Sequence, residues 1–130
     1  MIKDIPQEKV TNVAIAVVQE GEDWNVYLVN LKDTALENVL VSSKGYITHE
    51  NGSQTKTSEL RHALGNVPPR SYAKIEPIIE NVFGLHNQYW VTYFSENQLL
   101  DKKYIFLAET IKEANFVKIP ILNKRGVMIV

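Results

Sequence analysis

Cysteine does not occur in the 130 residues, so disulfides, thiolate metal sites and cysteine nucleophiles are all excluded and the fold must rest on an apolar core. Histidine is scarce. His49, His62 and His86 are the only three, and no two have the close spacing of a helical or hairpin metal pair. They are expected as solvated residues of turns and exposed strand positions, and no metal or other cofactor is expected. The six glycines nowhere form a Walker loop or a Gly-x-Gly-x-x-Gly turn, so a phosphate-cradling backbone has no visible platform. No serine sits in a Gly-x-Ser-x-Gly elbow. Val41-Ser42-Ser43-Lys44-Gly45 lacks the Ser-x-x-Lys spacing of a nucleophile–lysine pair and reads instead as a strand running out into a loop.

An excess of either charge is missing too. Fourteen basic and fifteen acidic residues leave a formal charge of −1, which gives no global field for nucleic acid or an anionic membrane. Long apolar runs are absent: Val13–Val18 is far too short for a membrane span or a signal h-region. The preceding MIKDIPQEKVTN mixes both charges with a proline. The expected location is therefore the cytoplasm.

What remains is a succession of short extended runs. Trp24–Asn30 (WNVYLVN) and Gln88–Phe94 (QYWVTYF) alternate with period two and are rich in β-branched and aromatic residues, the pattern of antiparallel strands. Val10–Gln19 alternates Val13, Ile15 and Val17 against Ala14, Ala16 and Val18. Both of its faces are apolar, as in a strand covered on two sides. Glu20–Asp23 turns the chain, and Leu36–Thr48 holds a third strand. Asn51-Gly52 supplies the positive φ angles of a tight hairpin turn. Residues 55–67 read either as a short helix capped by Ser58 or as a strand with Leu60, His62 and Leu64 alternating, and the strand is preferred. Ser71–Val82 places Ala73, Ile75, Pro77 and Ile79 on one face and Tyr72, Lys74 and Glu76 on the other, with Pro77 marking an edge or a bulge. Ser95–Gln98 joins the second tryptophan strand to Leu99–Ala108 in a hairpin, and Thr110–Asn115 holds at most a helical turn.

No helical stripe is sustained, and turn signals recur at sandwich-strand spacing. The expected fold is all-β: a single antiparallel β-sandwich over residues 1–130, immunoglobulin-like, with at most one or two helical turns. Its aromatic residues are expected mainly in the core or in cross-strand pairs. Trp90, sharing a face with Thr92 and Phe94, is expected to be buried. That leaves Tyr27, Tyr89 and Tyr93 as an outward-facing adhesive surface.

At DWNVYLVN, VLVSSKGY, KTSELRH, SYAKIEP and IPILNKRGVM the chain resembles a family of small, uncharacterised bacterial proteins of about this length, the resemblance running from Asp23 onward. Members are sometimes labelled phenylalanyl-tRNA synthetase alpha subunit. The resemblance implies a compact bacterial domain and no catalytic residue, since the adenylate-binding Phe-Arg-x-Glu-like motif and the Gly-rich arginine motif of that enzyme class are not present here.

Two functional readings follow. The first is a non-catalytic module that binds another protein or a second copy of itself through an aromatic face or an open sheet edge. The second is an accessory module for nucleic acid or a translation component, using Arg61, His62, Arg70, Lys102, Lys103, Lys124 and Arg125 if these meet on one surface. An enzyme whose site is built from residues distant in sequence would leave no linear motif. Phenylalanine-dependent ATP–pyrophosphate exchange by the purified protein is expected to equal the blank. Exchange that survives further purification and requires the amino acid would show an adenylate-forming site.

Overall fold

A computed structural model describes residues 9–130. The charged run up to Glu8, part of the segment read above as carrying no signal sequence, lies outside the described residues. Ten strands follow in order: β1 (Val13–Glu20), β2 (Asp23–Asn30), β3 (Leu36–Thr48), β4 (Gln54–Lys56), β5 (Leu60–Val67), β6 (Ser71–Ile78), β7 (His86–Ser95), β8 (Gln98–Phe106), β9 (Val117–Ile119) and β10 (Lys124–Ile129). Two short 3-10 turns, Glu80–Val82 and Glu113–Asn115, complete the regular structure. All pairings are antiparallel. One sheet runs β6-β2-β1-β10-β9, and the other runs β4-β3-β7-β8 with β5 also on β3. The long β3 carries β7 along one edge, and on the other β5 over Leu36–Ser43 and β4 over Tyr46–Thr48. The result is an all-β sandwich. No helix among the described residues is long and apolar enough to cross a membrane.

The alternation read from sequence sets the core. Val13, Ile15, Val17, Val26 and Leu28 face inward from the first sheet and meet Val41, Tyr89, Val91, Tyr93, Tyr104 and Phe106 from the second. The opposite side of β1 is buried too: Ala14, Ala16 and Val18 pack with Tyr27, Val29 and Ile119. Trp24 is in the main core, edge-on to Phe83 at 5.0 Å and to Phe116 at 5.9 Å. Asymmetric ring arrangements of this kind suit the aromatic quadrupole.

Several local expectations are corrected. In the His49–Ser53 turn only Gly52, at φ 86°, takes the left-handed conformation. That turn closes over five residues, with His49 N donating to Ser53 O, so Asn51 is free to accept the Ser53 N–H with its side chain. The two-residue turn is instead Glu96-Asn97, with φ of 50° and 65°, between the paired Ser95 and Gln98. Two successive positive φ angles match the right-handed twist of the flanking strands. Ser42 and Ser43 lie in the middle of β3 rather than in a loop.

The most consequential departure is in β6. Glu76 pairs with Val26 and Lys74 with Tyr27, so Ile75 is an extra residue with no partner on β2. Such a bulge reverses the side-chain alternation beyond it. Ile78, not Ile79, is therefore buried, and Glu76 leaves the face of Tyr72 and Lys74 and points between the sheets. Pro77 lies on this edge strand just past the bulge, where its missing N–H is tolerated.

β10 approaches β1 so closely that a Cβ at Gly126 would collide with the backbone carbonyl of Val17. Backbone cannot move aside as a flexible side chain can. Gly126→Ala is therefore expected to lower stability by about 1–3 kcal/mol, the range for overpacking, read as a lower denaturant midpoint with an unchanged slope. An unchanged midpoint would mean that the two strands separate at no cost.

Candidate functional site

Because side chains alternate strictly along a strand, β7 presents Tyr89, Val91 and Tyr93 to the core and Trp90, Thr92 and Phe94 to the outside. This reverses the expectation from sequence. Tyr89 and Tyr93 are 2% and 0% exposed, Tyr27 is buried on the first sheet, and Trp90 is 40% exposed. The proposed tyrosine surface does not exist as such. Both faces of β7 carry bulky apolar residues, so alternation alone cannot choose between them. Two polar hooks favour the observed choice: the Tyr89 hydroxyl donates to Glu76 Oε2 at 3.0 Å, and the Trp90 indole N–H donates to Asp101 Oδ2 at 2.8 Å on the surface.

The outer face of the second sheet consequently carries several large apolar side chains, with Asp101 and Lys103 among them. Leu40, Trp90, Phe94, Leu99 and Ile105 are all exposed, and the register makes Phe94 and Leu99 direct cross-strand neighbours. A single row runs across four strands: Arg61, Ser42, Trp90, Lys103. Small Ser42 leaves a groove of about 490 Å³ between the indole and the guanidinium, floored by Leu40, Ala63 and Thr92. Lys103 Nζ lies 4.5 Å over the indole ring, an exposed cation–π contact. Together with Asp101 it holds the Trp90 side chain in one orientation. Among the described residues Arg61 has only the exposed Glu59 at 3.5 Å as an ion-pair partner, a pairing of small worth.

The basic residues singled out from sequence do not gather. Arg61 and Lys103 share the outer face, but His62 turns inward to Glu76 and Arg70 pairs with Asp33 at 3.0 Å in a loop. Lys102 lies on the other side of β8, its Nζ 5.0 Å over the Tyr104 ring. Lys124 and the exposed Arg125 belong to β10 in the other sheet.

Between the sheets lies a cluster that the sequence reading missed. Glu76 Oε1 accepts from Ser43 Oγ at 2.7 Å and from the His62 ring nitrogen at 2.7 Å, while Oε2 accepts from Tyr89. A carboxylate can only accept, so His62 Nε2 carries the proton here. Burial, and after it the adjacent Glu76 carboxylate, pushes the Tyr89 hydroxyl well above the usual phenol range. Burial likewise raises Tyr104, whose hydroxyl donates to the Val13 carbonyl. The cluster is not a nucleophile relay. Ser43 and His62 bond the same carboxylate oxygen, so the imidazole is not placed to take the serine proton. The hub instead ties β6 of one sheet to β3, β5 and β7 of the other. The one signal for it in the sequence was Pro77: the bulge it marks is what turns Glu76 inward. His62 is accordingly no solvated turn residue, and His86 accepts the Ala108 N–H at 2.9 Å. Among the described residues no three His, Asp or Glu side chains group as a metal site.

No protein-family model and no curated protein sequence matches the chain.

On the first sheet Glu20 accepts from Lys124, Tyr27 and Asn25. Hydrogen bonds from Lys124 first and Tyr27 next lower its pKa from 4.5 to about 2. Burial first, then Glu20, raises Tyr27 to about 12. A depressed carboxylate contributes stability that is full above its unfolded pKa and lost as pH falls through the folded one. The stability advantage of the native chain over Glu20→Gln is thus expected to be constant near neutrality and to fade between pH 4.5 and about 2. Urea unfolding of both proteins across that range measures it, and a pH-independent difference would show that Glu20 acts only by packing.

Proposed function

We infer that this chain is a non-catalytic interaction domain that binds a second polypeptide, another protein or its own copy, through the outer face of the β5-β3-β7-β8 sheet. The observation that carries this is the run of exposed apolar side chains Leu40, Trp90, Phe94, Leu99 and Ile105 on one sheet face. Several large apolar side chains exposed together on one face of a folded domain are the mark of an interaction site. An exposed tryptophan pinned by neighbouring side chains has the character of a binding hot spot. The fold reading that goes with it is immunoglobulin-like. Its support is connectivity: β6-β2-β1 stand as strands E, B and A of that fold, and β5-β3-β7-β8 as C′, C, F and G.

A second reading, single-stranded nucleic acid, is favoured by one arrangement: Arg61 and Lys103 flank Trp90 in a single row, and indole beside cations stacks bases. Against it, Glu59 and Asp101 lie beside those same cations and offset them.

Sedimentation velocity over a concentration series at low and high salt separates the two. A salt-insensitive dimer, or a salt-insensitive complex with added lysate fractions, is expected, since apolar contacts are not screened. Trp90→Ala is expected to abolish the association while costing less than the roughly 3–5 kcal/mol of a buried tryptophan. A chain that stays monomeric and retains only nucleic acid, released by moderate salt, would replace the first reading with the second.

A further inference from the structure

Where the two sheets part, between the end of β6 and the segment joining β4 to β5, a cleft of about 270 Å³ opens onto the Glu76 cluster. Its walls are apolar, formed by Leu60, Pro77, Ile79 and Val82, and Ser43, Glu76 and Tyr89 stand at its polar end. Leu60 and Ile79, which flank the mouth, are 51% and 62% exposed. The volume is below the roughly 300–1,000 Å³ of pockets for drug-sized ligands, so the cleft suits one side chain and not a cofactor.

The chemistry of its polar end is specific. A carboxylate offers about four acceptor positions. Ser43 and His62 fill Oε1, and Tyr89 takes one position on Oε2, leaving one position on Oε2 open. The Glu76 side chain is only 12% exposed, and a carboxylate so enclosed is stabilised by a cation. Among the described residues the one basic side chain within ion-pair distance is His62, a cation only when its ring carries both protons. Lys44 also borders the cleft, but its Nζ lies 5.9 Å over the Tyr46 ring and makes no ion pair with Glu76.

From this geometry we propose that the cleft takes an alkylammonium group, the side chain of a lysine presented by a partner polypeptide. Its methylenes lie along Ile79 and Val82, its ammonium donates to the open position of Glu76 Oε2, and the chain that bears it rests on the exposed Leu60 and Ile79. A lysine stem buries methylenes while keeping its charge paired, which matches a narrow apolar cleft ending on a carboxylate. The cleft lies on the inner side of β3 and β7, away from Trp90. The proposal therefore stands apart from the outer-face reading, and either can fail alone.

Two-dimensional amide NMR of the full chain, titrated with Nα-acetyl-lysine-N-methylamide, tests it. Saturating millimolar shifts are expected at Ser43, Glu76, Ile79 and Tyr89, with the Nε-acetylated analogue weaker by about tenfold or more. Glu76→Gln is expected to remove the preference for the charged ligand. Should that variant fail to fold, Ile79→Ser, which alters an exposed wall only, is expected to weaken binding of the charged ligand by a smaller factor. Absence of saturating shifts, equal shifts with the acetylated analogue, or shifts confined to the Trp90 face would each overturn the proposal. Tighter binding of pentane-1,5-diamine than of the lysine derivative would also overturn it, as it would point to a free diamine as the occupant.

Discussion

One extra residue in β6 governs the interior. Without the bulge at Ile75, period-two alternation would carry Glu76 to the outside with Tyr72 and Lys74 and would exchange the places of Ile78 and Ile79. The carboxylate would then face solvent. Ser43 and Tyr89, both buried, would lose their acceptor, and an unsatisfied buried hydroxyl costs about 1–3 kcal/mol. With the bulge in place, four strands from two sheets converge on one side chain. The same local irregularity thus orders the packing at this end of the sandwich and opens the cleft beside it.

Much of the architecture was legible in the sequence because it depends on local signals. The long third strand, the two tryptophan strands, the hairpin at Ser95–Gln98 and the strand within 55–67 follow from alternation and turn residues. The doubly buried β1 follows from its two apolar faces. What could not be read was orientation. QYWVTYF offers tyrosine and valine on one side and tryptophan and phenylalanine on the other, and hydrophobicity is nearly balanced between them. The choice fell to polar partners outside the strand: Glu76 on β6 for Tyr89, and the Val82 and Leu85 carbonyls of the preceding turn for the buried Asn87 side chain. The Glu76 cluster was hidden for a related reason. Its members come from four strands, and its central residue sits on the face that a regular strand would have turned outward.

The outer face of the second sheet shows how a surface tryptophan can be held ready. Asp101 and Lys103, two residues apart on β8, take the indole N–H and the ring face respectively. A side chain already fixed loses less conformational freedom when a partner covers it. The neighbouring edge is treated differently. Lys102 points to the inner side of β8, and an inward charge on an edge strand opposes pairing with another chain. Face and edge of one strand therefore carry opposite instructions to an approaching polypeptide.

The place of β10 bears on how the protein is made. One edge of β1 is covered by its hairpin partner β2, but the other waits for a strand encoded much later, since Val17 pairs with Val127. At about 5–20 residues per second, the ribosome leaves that edge of a strand apolar from Val13 to Val18 unpaired for on the order of 5 to 20 seconds. Once that strand arrives, the close seat leaves no room for a side chain at position 126. Until then β1 is an open template for pairing with any other extended chain. The nascent polypeptide is accordingly at its most vulnerable in the cell during the interval in which most of the second sheet has already emerged.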